Sequence, residues 1–133
     1  MSQPRVVLDE SKWPRVYAIW PAQELSDEAF EQMVMAMSAL SKRGERYVII
    51  HDARRAARPT PKQRAFAAKQ QKIDAEKSKR FIVGTALVVS SPLIASAVTA
   101  INWIAPPPFP QKVFSKLADA EAWATEQLAK HGG

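Results

Sequence analysis

Apolar residues along this chain fall by turns into short extended runs and helical spacings. Arg5 to Leu8 is a short apolar run, and Arg15 to Trp20 (RVYAIW) alternates Val16, Ala18 and Trp20 against Tyr17 and Ile19 between Pro14 and Pro21. Both read as strands, and the DESKWP stretch between them predicts a hairpin turn. Ser26 then stands where an N-cap belongs, with Asp27 and Glu28 in the first turn, where the helix dipole favours acids. Leu25 and Phe30 sit in staple positions, and Phe30, Met33, Val34, Met37 and Leu40 recur at helical spacing until Gly44 stops the run. Tyr47 to Ile50 is continuous and β-branched, the signature of a buried strand, and the run ends at Asp52.

A polar loop, ARRAARPTP, follows. Thr60 ahead of Pro61 predicts an N-cap with proline at the first helical position, opening a helix to about Ser78. Its only large apolar residues are Phe66 and Ile73, so most of its surface must be solvated or engaged with a partner. Phe81 to Pro110 then contains no Asp, Glu, Lys, Arg or His at all. A membrane-spanning helix takes about 20 apolar residues in a row, and Ser90-Ser91-Pro92 breaks this run too early for one. Phe81 to Val89 reads instead as a strand buried on both faces, and Ser91-Pro92 opens a helix through Leu93 to Ile104 that the PPP run ends. Lys112 to Phe114 predicts a last short edge strand. Leu117 to Lys130 predicts an amphipathic helix with Ala120, Trp123, Ala124 and Leu128 on one face.

The helix from Leu93 to Ile104 carries more apolar surface than one sheet needs. Its polar side chains, Ser96, Thr99 and Asn102, form one narrow stripe, whereas Leu93, Ile94, Val98, Ile101, Trp103 and Ile104 exceed the roughly one-third of a circumference that packing on a sheet would cover. The surplus predicts either self-association or deeper burial under the C-terminal segment.

Composition and charge narrow the function classes. A length of 133 residues suits one domain with an adequate core, and the absence of cysteine excludes disulfides, thiolate metal sites and a cysteine nucleophile. The first ten residues lack a signal-peptide pattern, which favours a cytoplasmic location. Arg54 to Arg80 holds ten Lys or Arg and two acids, a balance of +8, against nine and eleven elsewhere, a balance of −2. The whole excess of the +6 chain therefore lies in one segment. Arg54, Arg55, Arg58, Lys62 and Arg64 cluster around a loop and a helix start, which suits an anionic group, an acidic protein or an anionic lipid surface, although a merely solvated face shows the same pattern. Nucleic acid is disfavoured, because the segment has Phe66 as its sole aromatic and no reading motif.

Little supports catalysis. His51 and Asp52 are neighbours on a strand and point to opposite faces, so they form no dyad. Asp52, at a strand's carboxyl end, is better placed for binding, or for accepting hydrogen bonds from Arg54 and the following loop. No metal or cofactor motif is present: two distant histidines, no P-loop and no G-x-S-x-G elbow.

The order of elements predicts an α/β fold, a four- to five-stranded mixed sheet covered by about four helices. Trp20-Pro21 before the first helix, YVIIHDARR ending a strand in Asp, the Thr-Pro helix start with Arg64 after it, FIVGTALVV, the apolar helix with Trp103, and VF followed by ADAEAW together resemble the STAS/SpoIIAA-like family over nearly the whole chain. The resemblance implies protein recognition or, as in eukaryotic relatives, lipid binding, and no catalysis. In the phosphoregulated anti-sigma-factor antagonists of that superfamily a serine follows the strand-ending Asp. Here Ala53, Arg54 and Arg55 follow Asp52, so that switch is absent, and Thr60, the nearest hydroxyl, is better read as an N-cap than as a modified residue. Two readings remain. One is a non-catalytic interaction module that dimerises or docks through the apolar helix. The other is a binder of an anionic small molecule or lipid, with Arg54, Arg55 and Arg58 at its head group and the apolar helix as its gate; it requires an internal apolar pocket.

Overall fold

The computed structural model describes residues 3–131. Among them lie five strands, β1 (Val7–Lys12), β2 (Arg15–Ile19), β3 (Tyr47–Asp52), β4 (Ile82–Val88) and β5 (Gln111–Phe114). Five α-helices accompany them: α1 (Asp27–Ala39), α2 (Pro61–Ile73), α3 (Ala75–Phe81), α4 (Pro92–Ile104) and α5 (Leu117–Lys130). The strands form one sheet in chain order, with β1 antiparallel to β2 and every later pair parallel. Parallel neighbours joined by same-handed crossovers must put their connecting helices on one side of the sheet. Accordingly α1, α2 and α4 share a face and pack side by side, while α5 covers the opposite face against β3, β4 and β5.

Strand alternation sorts the core between these faces. Tyr17, Val48, Ile50, Ala86 and Val88 meet Ala120, Ala124 and Leu128 of α5. Val16, Ala18, Tyr47 and Ile49 point the other way, beneath Leu40 and Met37. Gly84 is required by a close approach: a Cβ there would lie 2.8 Å from Cη2 of Trp123, whose indole lies over the strand.

Two elements differ from the sequence reading. β1 runs to Lys12, because an exposed edge strand shows no apolar alternation, and the hairpin turns at Trp13-Pro14 alone. The helix expected to continue to Ser78 breaks at Asp74, which closes α2 and starts α3. There its carboxylate accepts from Gln70 at 3.1 Å and pairs with Lys77 at 3.5 Å, the local competition that disfavours Asp inside helices. Ile73, one of the two large apolar residues of that helix, is exposed. The helix caps follow expectation: Ser26 Oγ accepts from the Ala29 N–H at 3.0 Å, and Gly44 adopts a left-handed φ of 71° after a short 3-10 turn.

Candidate ligand cavity and basic loop

The helical side of the sheet is incompletely filled. The first turns of α4 sit down on the sheet, where Ile94 packs with Leu87, Val89 and Ala53. Beyond them the helix leans on α2 and stands off the strands. The space beneath is a cavity of about 160 Å³, roofed by Ala97, Val98, Ile101 and Asn102 and walled by Phe30, Met33 and Met37 of α1. Alanines keep it open: Ala53, Ala56 and Ala57 of the β3–α2 loop, Ala67 of α2 and Ala97 of α4 all line it. A second lobe of about 150 Å³ adjoins it toward Tyr47, Ser38 and Lys77, and the two share His51, Gln71, Gln111 and Met37 as common walls.

The polar groups at this junction are held by named partners. Gln111 donates to Thr85 Oγ1 at 3.0 Å and accepts from Asn102 Nδ2 at 2.5 Å, which ties α4 to the sheet edge. Gln71 donates to the Ala105 carbonyl and so fastens the end of α4 to α2. His51 shares its face of β3 with Tyr47 and Ile49, as period-2 alternation requires. Its Nδ1 accepts from Trp20 Nε1 at 3.1 Å, and burial pulls its pKa down to about 4, so the imidazole is neutral at pH 7. With Nδ1 an acceptor, the ring proton resides on Nε2. That atom has no hydrogen-bond partner among the described residues, and the ring lines both lobes.

The basic loop lies apart from this cavity. Arg54 forks onto Asp52 with Nε to Oδ1 at 2.9 Å and Nη2 to Oδ2 at 2.8 Å, and this contact holds the Asp52 carboxyl below its ordinary range. Lys62 pairs with Asp27 at 3.2 Å, and Arg64 donates to the Pro59 carbonyl at 2.9 Å. Thr60 forms a capping box: its Oγ1 accepts from the Gln63 N–H at 3.1 Å, and Gln63 Oε1 accepts from the Thr60 N–H at 3.2 Å. Arg55 and Arg58 are exposed and line surface clefts near Trp20, outside the cavity. The loop thus gives its alanines and Pro59 to the cavity and its arginines to solvent. A head group held by Arg54, Arg55 and Arg58 would not sit in that space.

The six apolar residues of α4 separate by face. Ile94, Val98 and Ile101 turn inward and line the cavity, whereas Leu93, Trp103 and Ile104 are 60%, 84% and 53% exposed. Sequence reasoning considered His51 only as half of a dyad, read Trp20 only as a strand and family residue, and assigned no site role to Gln71 or the alanines. The available signal was the placement of His51 two residues after Ile49, on the buried alternation of β3.

No family model matches the chain, and no curated protein matches it. A solved structure does: an uncharacterised protein of the DUF3478 family with a SpoIIAA-like fold, from Shewanella loihica PV-4. It is 20% identical, superposes with a TM-score of 0.54, and is matched over 93% of this chain and 95% of that one. The fold is SpoIIAA-like. Among the described residues, no helix of this SpoIIAA-like chain is long and apolar enough to cross a membrane.

Proposed function

We propose that the protein is a non-catalytic binding module that takes a small, largely apolar molecule into the cavity beneath α4. The observation that carries this reading is a lobe of about 160 Å³ lined by alanine, methionine, phenylalanine and isoleucine, left open where α4 stands off the sheet. Protein interiors normally close such voids. A comparable apolar cavity of about 150 Å³ admits benzene, so the lobe suits one ring or a short branched chain. Native mass spectrometry of protein purified without organic solvent tests the reading. A discrete added mass released on denaturation supports it; protein that arrives empty and gains no thermal stability from any small aromatic or branched aliphatic compound contradicts it.

A second reading concerns the outer face of the same helix. Leu93, Trp103 and Ile104 expose apolar surface that the described residues leave uncovered, and this favours docking of a second copy or another protein there. Light scattering across a concentration series tests it, since a mass that stays monomeric throughout removes the second copy.

A further inference from the structure

The cavity wall constrains the chemistry of its occupant, an inference that rests on the ligand reading above. Among the described residues, the larger lobe is lined by no Asp, Glu, Lys or Arg, and His51 is the one titratable side chain in its wall; Lys77 and Asp74 line only the second lobe, where they pair with each other at 3.5 Å. Bringing an ionised group into such a space without a counter-charge is prohibitive, because the burial cost is not offset by pairing. One oriented donor is nevertheless present. Trp20 Nε1 occupies His51 Nδ1 at 3.1 Å and so fixes the tautomer, leaving Nε2–H directed away from Trp20 with no acceptor among the described residues. The remaining wall is apolar side chain, apart from the amides of Gln71, Asn102 and Gln111, each of which commits one of its two N–H groups, to Ala105, to Gln111 and to Thr85 respectively, and so is held in place.

We propose that the site selects a compact, uncharged molecule with an apolar body and a hydrogen-bond acceptor, such as a ketone, ester or ether oxygen, that takes the Nε2–H of His51. Trp20 acts as the positioning residue that holds His51 in the donor tautomer. The proposal differs from recognition by the basic loop, whose arginines face solvent on the other side of Ala53, Ala56 and Ala57.

Three probes of similar shape test it on the intact protein by calorimetry or by chemical-shift titration: acetophenone, ethylbenzene and benzoate. Acetophenone is expected to bind about threefold to tenfold more tightly than ethylbenzene, the range of one net neutral hydrogen bond, and benzoate more weakly than either. In His51→Leu the first two should bind alike, and Trp20→Phe should reduce the preference for acetophenone over ethylbenzene. The ring nitrogens of His51, followed by 15N NMR in the native protein, should show the proton on Nε2. Equal affinity of acetophenone and ethylbenzene, a Nδ1–H tautomer, or an unchanged preference in a folded His51→Leu protein overturns the assignment of the donor while leaving the cavity reading in place. Tightest binding by benzoate overturns the claim of an uncharged ligand. Failure of all three to bind removes the cavity reading itself, and this inference with it.

Discussion

Replacing Ala97 with Leu should make the protein more stable and less able to bind. Ala97 is buried on the inward face of α4 and borders the larger lobe. Leucine adds three carbons; at ~0.8 kcal/mol per buried methylene the gain approaches ~2.4 kcal/mol. Restricting a leucine rotamer takes back ~0.5–1 kcal/mol, which leaves a net stabilisation of about 1.5 kcal/mol. The size of the void sets a ceiling: for a lobe of about 160 Å³, ~24 cal/mol per Å³ amounts to ~4 kcal/mol of packing forgone. In urea denaturation the midpoint should rise with an unchanged slope, and the melting temperature should rise by about 5 °C. Acetophenone affinity should fall by tenfold or more, because the added side chain occupies the same space. Destabilisation by ~1–3 kcal/mol, the usual result of overpacking, would show that the lobe closes in solution. Stabilisation with binding intact would place the ligand elsewhere.

Other perturbations test other parts of the structure. His51 is held neutral by burial with a pKa near 4, whereas the unfolded chain titrates near the ordinary 6.5. Its contribution is therefore complete above about pH 6.5, falls as pH drops, and is gone below about pH 4, a loss of about 3 kcal/mol that denaturation curves should show and that His51→Leu should abolish. Gly84→Ala places a methyl 2.8 Å from Trp123, itself tilted against Phe114 with ring centroids 5.8 Å apart, and should cost about 1–3 kcal/mol in denaturant titration. Combining it with Trp123→Phe should recover part of that loss; no recovery would mean that the clash is not with the indole. The double substitution Leu93→Ser with Trp103→Ser should change stability by no more than about 0.5 kcal/mol, since both side chains are exposed. If the native protein is a dimer by light scattering, this variant should be a monomer, and a persisting dimer would exclude the outer face of α4 as its interface.

Elements with strong local signals were legible in the sequence, and those made by long-range fit were not. Ser26, Thr60-Pro61 and Ser91-Pro92 mark helix starts through hydrogen bonds made within three residues, and all three caps form. The apolar run expected as a strand from Phe81 to Val89 forms β4 over Ile82–Val88, with Phe81 closing α3 instead, and SSP marks the break that separates it from α4. By contrast, the break at Asp74 arises from a carboxylate shared among Gln70, Lys77 and its own helix end, and no periodicity reveals that. The polar half of β1 is held by pairing with β2 alone, so it shows no apolar alternation. The surplus on α4 was visible as composition, yet its division into an inward set and an outward set depends on how far the helix stands from the sheet. The cavity was the least visible feature, since alanines in a loop read as ARRAARP look like spacers between arginines. Only tertiary placement turns Ala53, Ala56 and Ala57 into a wall and sends Arg54 to Asp52.

The most direct measurement is an isotope-filtered NOE experiment on labelled protein saturated with unlabelled acetophenone. Contacts from the probe to the methyls of Ala97, Val98 and Met37 are expected, with the ketone end nearest the His51 ring. Contacts confined to Leu93, Trp103 and Ile104, or to the arginine loop, would contradict a ligand beneath α4.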